Sequence, residues 1–164
     1  MITLSKTESQ LFEDLRLALL PLFDVEIVRG LDNQVPPPIG DYIVITPIVN
    51  TRQGTNQYLY TDTTQAQAVL YTYTIQIDCY GLQSGNMSSI INLLFRGDYF
   101  NDKGISPLTC SNPRQLVFEG VEHQMIERWQ QDIDVSYNPS INIPQQTANT
   151  LNLEFLNPAD VFTN

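Results

Sequence analysis

The sequence predicts a single α+β domain in which a mainly antiparallel or mixed, twisted sheet is packed by two helices and carries a projecting hairpin or arm. The first observation is the segment 69–95, where a strand pattern runs almost directly into a helix pattern. Every second residue from Val69 to Cys79 is apolar, which is the period of a half-buried strand. Apolar residues then recur at a spacing of three and four, at Met87, Ile90, Ile91, Leu94 and Phe95. Because the two apolar faces can pack together, the segment predicts a sheet covered by a helix.

The second observation is the combination of length and composition. The chain has 164 residues, 42% of them hydrophobic, which is enough for one packed core. It contains no internal repeat and no shift in composition, so we expect a single domain spanning residues 1–164. We expect Cys79 and Cys110 to be free thiols. The chain has neither a secretory signal pattern nor an apolar stretch of ~20 residues, which predicts a soluble protein made in the cytoplasm.

The amino-terminal half begins with a helix predicted at about residues 8–20. Thr7 and Gln10 have the spacing of a capping box, and Pro21 marks the end of the helix. A short strand is predicted at 25–28. The loop that follows, 30–40, contains three consecutive prolines and should be extended and stiff.

A second strand is predicted at 41–47, apolar on both faces. Its last residue, Pro47, predicts either the end of the strand or a position along a sheet edge. The polar segment 51–67, in which 57–61 has strand character, predicts a hairpin or an extended arm. Such a segment either serves an assembly or is a simple surface loop, and both interpretations stay open.

The carboxyl-terminal half continues with the long strand 69–80 and a helix at about 86–96. Glycine and proline predict a loop over 97–112. Strands are then predicted within 116–137, at 116–119, 122–129 and 132–137. A final strand is predicted at 151–155, where Leu151, Leu153 and Phe155 alternate with polar residues.

The charge of the chain disfavours one class of partner. Eighteen Asp and Glu against eight Lys and Arg give a formal net charge of −10, and the cations are scattered along the sequence. Because nonspecific binding to nucleic acid depends on cations that neutralise phosphates, a DNA-contacting role is disfavoured. A pore through which DNA passes without adhering is compatible with acidic walls. Solubility explains most of the negative charge.

Candidate sites for chemistry are few. His123 as an acid–base group would need a cysteine, serine or carboxylate brought to it by the fold, and a hydrogen-bonded or exposed histidine is the favoured interpretation. One histidine and two cysteines do not match a zinc site. Asp132 and Asp134 share one side of a strand, but two carboxylates are too few ligands for a hard cation. We therefore expect no catalytic residue, no cofactor and no metal.

Four passages taken together resemble the neck or tail-terminator proteins of tailed bacteriophages. They are NQVPPPIGDYIVI at 33–45, IQIDCYG at 75–81, FRGDYF at 95–100 and PRQLVFEGVEHQMIERWQQDIDVSYNP at 113–139. The resemblance covers roughly residues 8–139 and rests on the order and spacing of these passages. It implies a small α+β subunit that assembles into a ring, expected to be a hexamer. This ring would cap the completed tail tube and present it to the head connector.

The resemblance also implies partners and contacts. The tail tube protein and a head connector or stopper protein would be its neighbours in the virion, after assembly in the host cytoplasm. DNA would only pass through the lumen, and no membrane would be contacted. No catalytic residue carries over, and five residues would make structural or inter-subunit contacts: Arg114, Glu122, Gln124, Arg128 and Trp129.

Two other functions remain open. The nearest is a head-completion or stopper protein of the connector. The other, from a different class, is a small binding module or a hydrolase with an unrecognised site. That class predicts a monomer with a concave pocket that gathers polar groups.

Overall fold

The computed structural model of the protein describes residues 2–30, 36, 38–61, 63–119 and 125–144. Within these ranges the chain forms two α-helices, nine strands and two single-turn 3-10 helices, which confirms the predicted α+β class. The α-helices are α1 (Glu8–Leu19) and α2 (Ser84–Arg96), and the 3-10 helices are Leu20–Leu22 and Asn101–Lys103. The strands are β1 (Glu26–Arg29), β2 (Tyr42–Arg52), β3 (Gln57–Tyr60), β4 (Thr64–Ala68), β5 (Tyr71–Tyr80), β6 (Ser106–Cys110), β7 (Arg114–Glu119), β8 (Met125–Tyr137) and β9 (Ser140–Pro144).

The main sheet has six strands and is mixed. Its order is β1-β2-β5-β8-β6, and β7 pairs with β8 beyond the end of β6. Only β1 and β2 are parallel; the other pairings of this sheet are antiparallel. The mixed character of the sheet follows the prediction.

A second, three-stranded sheet has the order β3-β4-β9. It continues the three central strands of the main sheet, because β3 follows β2, β4 precedes β5 and β9 follows β8. We call these three strands the arm. The hairpin predicted within 51–67 is confirmed, with β3 and β4 as its strands. None of the residues in the three strands of the arm is buried.

Both α-helices contribute to one hydrophobic core against the main sheet. The predicted alternation of β5 is confirmed where Tyr73, Ile75, Ile77 and Cys79 are all buried. They pack with the buried residues of the helices and of the neighbouring strands: Leu11, Leu15, Ala18, Leu19, Met87, Ile91, Phe95, Ile43, Ile45, Ile133 and Val135. The capping box of α1 is also confirmed, since the N–H of Gln10 donates to Oγ1 of Thr7 and the N–H of Thr7 donates to Oε1 of Gln10.

Two strands, β6 and β9, were not predicted from the sequence. The segment 97–112, predicted to be a loop, contains β6. Pro107 indicated a break, but β6 pairs on only one side, with β8, and its register shifts between Pro107 and Thr109. Proline is tolerated at such an edge position because no ladder hydrogen bond is lost there.

The strands predicted at 122–129 and 132–137 are wrong as separate elements, because β8 is one continuous strand of 13 residues. Gln130 and Gln131, which lie between the two predicted ranges, are both buried. Nε2 of Gln131 donates to the carbonyl of Ser88 at 3.1 Å, and Oε1 of Gln130 accepts from Nε of Arg114 at 3.2 Å. Hydrogen-bonded amides are thus accommodated inside the strand.

Proline at position 47 lies along an edge, one of the two predicted possibilities. β1 pairs with β2 only as far as Ile45, and β2 continues past Pro47 to Arg52 with a register shift between Pro47 and Val49. The other predicted elements agree with the structure to within about two residues at most of their ends. The strand predicted at 151–155 lies outside the described residues, and the single-domain span of residues 1–164 stays a prediction.

Gly81 makes the tight connection between β5 and α2. Its φ is 99°, its N–H donates to the carbonyl of Glu127 at 3.0 Å, and a Cβ added there would lie 2.9 Å from Cα of Asp41. Any side chain at position 81 would therefore be destabilised both by the positive φ and by the close approach of Asp41. We therefore expect Gly81→Ala to lower the free energy of unfolding by about 1–3 kcal/mol in urea titrations.

Gly104 provides the matched control. It also has a positive φ, 71°, but a Cβ added there meets no atom within 4 Å. The loss of unfolding free energy for Gly104→Ala should therefore come from the positive φ alone, and it should be smaller than the loss for Gly81→Ala. Equal losses for the two variants would show that the approach of Asp41 contributes nothing.

Candidate assembly surfaces

The face of the main sheet that carries Asp78 holds a buried ion pair. Oδ1 of Asp78 lies 3.0 Å from both Nε and Nη2 of Arg128, and its Oδ2 accepts from Nε2 of Gln76 at 2.6 Å. The Asp78 side chain is only 3% exposed. Asp78 falls between the apolar residues of the predicted alternation, so its direction, away from Ile77 and Cys79, follows from the sequence. Its burial does not follow from the alternation, because it depends on the surrounding side chains.

Two aromatic rings flank this ion pair. Tyr42 and Tyr80 are stacked with ring centroids 4.6 Å apart, and the guanidinium of Arg128 lies 5.5 Å from the centroid of Tyr80. Burial, followed by the charge of Asp78, raises the pKa of Tyr80 to about 12. Burial lowers the pKa of Arg128, but the hydrogen bond and charge of Asp78 more than offset this, so the pKa is raised. Neither Tyr80 nor Arg128 changes its protonation near neutral pH, so both side chains are suited to a structural role and not to proton transfer.

Of the five residues predicted to make structural or inter-subunit contacts, the three that the structure describes do not form one cluster. Arg114 lies on the same face as Arg128, with its Nη2 3.9 Å from Oδ2 of Asp132 and a side chain that is 61% exposed. Trp129 points to the opposite face, where a Cβ added at Gly85 of α2 would lie 3.2 Å from its Nε1. Arg128 has a structural partner within the chain.

The remaining two of these residues, Glu122 and Gln124, lie outside the described residues, as does His123. The inter-subunit role of all five stays a prediction.

The arm offers a different kind of surface. All four residues of β3 are exposed, with Leu59 at 68%, and the rings of Tyr58 and Tyr60 lie side by side at 6.3 Å between centroids. The strands β3, β4 and β9 contain no charged residue, although the chain carries eighteen Asp and Glu. Asp62, which lies between β3 and β4 in the sequence, is outside the described residues. The arm is therefore an uncharged, partly apolar surface on an acidic chain.

A second exposed apolar surface lies along α2. Leu82 and Leu93 are largely exposed and Ile90 is half exposed. Ile90 was predicted to belong to the buried stripe, and this was wrong. The helix instead buries Ser84, Met87, Ser88, Ile91 and Phe95, so the small side chains of Ser84 and Ser88 lie on the face that packs against the sheet.

An open groove of about 640 Å³ lies between the end of α2 and β6. Arg96 lines it, but its guanidinium is held by three neutral oxygens, on Asn92, Cys110 and Asn112. Burial raises the pKa of the Cys110 thiol. The charge of Arg96 and the hydrogen bond from Asn92 lower it by less, so the net shift is upward. The thiol is therefore neutral at pH 7 and poorly nucleophilic.

The acidic pair at 132 and 134 also has partners within the chain. Oδ1 and Oδ2 of Asp134 accept from the hydroxyls of Thr74 and Thr109, each at 2.6 Å. Across the described residues, no group of three or more His, Cys, Asp or Glu side chains is placed to hold a metal ion. No helix in this part of the chain is long and apolar enough to cross a membrane.

The thiols provide a test of this chemistry. Both cysteines are free, and burial, followed by the charge of Asp78, raises the pKa of Cys79 to about 12. Because only the thiolate reacts, we expect iodoacetamide at pH 8 to leave Cys79 unmodified in the folded chain and to modify Cys110 slowly. Both should react quickly in guanidinium, as peptide mass spectrometry would show. Fast modification of Cys79 in the folded chain would contradict its burial.

A known protein family matches this chain over most of its length. The sequence model described as phage neck terminator protein matches residues 9–160. No curated protein matches the chain. The resemblance that the four sequence passages indicated is thereby confirmed. Since the match covers most of its length, the chain belongs to the family of phage neck terminator proteins, which are structural components of the virion neck.

Proposed function

We propose that this neck protein forms a hexameric ring that terminates the tail tube and joins it to the head connector. The observation that carries the proposal is the arm, which has no buried residue and no charge in any of its three strands. A three-stranded sheet normally needs a packed face to be stable. The arm therefore has more to gain from a neighbouring subunit than from solvent.

Charge supports contact between copies through this surface. Copies of a chain with a net charge of −10 repel each other, so a shared contact is most favourable where no carboxylates meet. A closed ring also needs two different contact surfaces on each subunit, because its interfaces are head-to-tail. The arm is one candidate, and the apolar side of α2 around Leu82 and Leu93 is a second.

The remaining charge suits a channel for DNA. Among the eight cations, Lys6, Arg16, Arg114 and Arg128 are each paired with a carboxylate of the same chain. The other four are outnumbered by the eighteen carboxylates, so DNA would pass an acidic lumen without adhering. Replacing lumen-facing carboxylates with lysine should slow DNA ejection, and normal ejection would count against an acidic lumen.

The decisive experiment is electron microscopy of phage particles that lack this protein. We expect overlong tails or tails not joined to heads, and complementation with the chain should restore normal particles. Micrographs of the assembled protein should show rings. Heads that lose their DNA, with tails of normal length, would instead support a stopper protein of the connector. Assembly in the host cytoplasm, from soluble subunits, is part of the same proposal.

A further inference from the structure

We infer that the outer edge of β3 pairs with a strand of a second copy of this chain, so that the sheet of the arm continues into the neighbouring subunit. This inference rests on the ring proposed above and names the contact that would hold it together. An exposed sheet edge presents unpaired main-chain groups, which a strand from another chain can satisfy.

Most of the other edges in the described part of the chain are protected against such pairing. β1 has only four residues and carries charges at both ends, Glu26 and Arg29. β7 begins with Arg114 and ends with Glu119. Short length and charged residues are the usual devices that prevent edge pairing.

The two remaining edges of the main sheet are protected by proline. The stretch of β2 beyond β1 contains Pro47 and a register shift before Val49. β6 contains Pro107 and a register shift before Thr109. Proline removes a donor, and an irregular register distorts the edge, so both strands are poor templates.

β3 is as short as β1, but it has neither the charged residues nor the proline that protect the other edges. Its residues, Gln57, Tyr58, Leu59 and Tyr60, are uncharged, contain no proline and pair with β4 in an uninterrupted register. The N–H of Thr61 donates to the carbonyl of Thr64. Because ladder bonds alternate, the next bonded pair is Leu59 with Ala66. The main-chain groups of Tyr58 and Tyr60 therefore point to the outer edge.

The partner is assigned from charge. A strongly acidic or basic partner would find no opposite charge on the edge of β3 or on the rest of the arm. Copies of this chain each carry a net charge of −10, so they repel each other at surfaces that carry carboxylates. An uncharged strand is thus the place where two copies meet at least cost. The added strand would also cover Leu59, Tyr58 and Tyr60, which are half or more exposed in the single chain.

Photo-crosslinking in assembled particles tests the identity of the partner. A photoreactive residue replaces Leu59, and the matched control carries it at Glu13, which is exposed on α1. We expect position 59 to give a product of twice the mass of the chain and position 13 to give little. A product with a different virion protein, no product, or equal products from both positions would overturn the inference.

A pair of substitutions tests whether the contact uses the main chain. Tyr58→Pro removes an outward N–H without removing a β3–β4 ladder bond, whereas Tyr58→Ala removes only the side chain. We expect the proline variant to need about tenfold more protein for half-assembly than the alanine variant. Hydrogen exchange at Ala66 checks that the hairpin is intact in both. Equal assembly of the two variants would exclude strand pairing.

These results separate the inference from the proposed function. If rings form and tails terminate normally while position 59 does not crosslink to a second copy, only the contact is wrong. If particles without the protein have normal tails and no ring is found, the function itself is wrong.

Discussion

Arg128→Met is expected to lower the free energy of unfolding by about 3–5 kcal/mol, because it leaves the carboxylate of Asp78 buried without its cation. Asp78 is 3% exposed, and Arg128 supplies two of its hydrogen-bond donors at 3.0 Å. Gln76 remains as a neutral donor but cannot offset the charge. Urea unfolding followed by circular dichroism, at pH 7 and matched ionic strength, would measure the loss.

The double variant Asp78→Leu/Arg128→Met is the critical control. Replacing both partners of a buried ion pair with apolar residues is often close to neutral, so the double variant should recover most of the stability lost in the single one. The single variant Asp78→Leu is measured beside them. If the losses of free energy for Asp78→Leu and Arg128→Met simply add up to the loss of the double variant, the two side chains are not coupled, and the stability of this sheet face comes from another source.

Arg114→Met separates structural from assembly roles on the same face. The Arg114 side chain is 61% exposed and its ion pair with Asp132 is long, at 3.9 Å. The ion pair itself should contribute little, but the substitution also removes the hydrogen bond to Oε1 of the buried Gln130, so we expect it to lower the free energy of unfolding by about 1–3 kcal/mol. A stable Arg114→Met chain that fails to form rings would identify Arg114 as an inter-subunit contact. Normal rings would remove it from the predicted contacts.

The elements that the sequence predicted best are those with a short repeat. The alternation of β5 and the capping box at Thr7 and Gln10 depend on residues within a few positions of each other. The opposite directions of Arg128 and Trp129 follow in the same way, since neighbours on a strand point to opposite faces. The prediction of a strand at 122–129 already implies that Arg128 and Trp129 lie on opposite faces. The same prediction divides the five contact residues into two groups, one on each face of the sheet.

The features that the sequence did not predict depend on distant partners. Gln131 remains inside β8 because Ser88, 43 positions away, accepts its amide proton. Asp78 is buried because Arg128, 50 positions away, is its partner. The uncharged composition of the arm is visible in the sequence. That β3 pairs on one side only, among the described strands, is not visible there, since this depends on which strand pairs with which.

Phe100→Ala is expected to cost about 3–5 kcal/mol of unfolding free energy, although the residue lies in a connecting segment. Phe100 is fully buried. Its ring stacks on Phe95 of α2 with 4.0 Å between centroids and meets the ring of Tyr99 edge-on at 5.1 Å. Its carbonyl also accepts the N–H groups of Lys103 and Ile105. The side chain thus fixes the path from α2 to β6, and truncation would leave a cavity below both.

Two milder changes locate the source of that loss. Phe100→Leu keeps most of the apolar volume and should cost much less than alanine, because the cavity is smaller. Tyr99→Phe removes the hydrogen bond from its hydroxyl to the carbonyl of Ala18, at 2.9 Å, and should cost about 1 kcal/mol. All three are measured by urea unfolding with the same probe. If Phe100→Ala lowers the free energy of unfolding no more than Tyr99→Phe does, the segment that links α2 to β6 unfolds separately from the core. The groove beside β6 would then be lined on one side by a segment that is not held in place by the core.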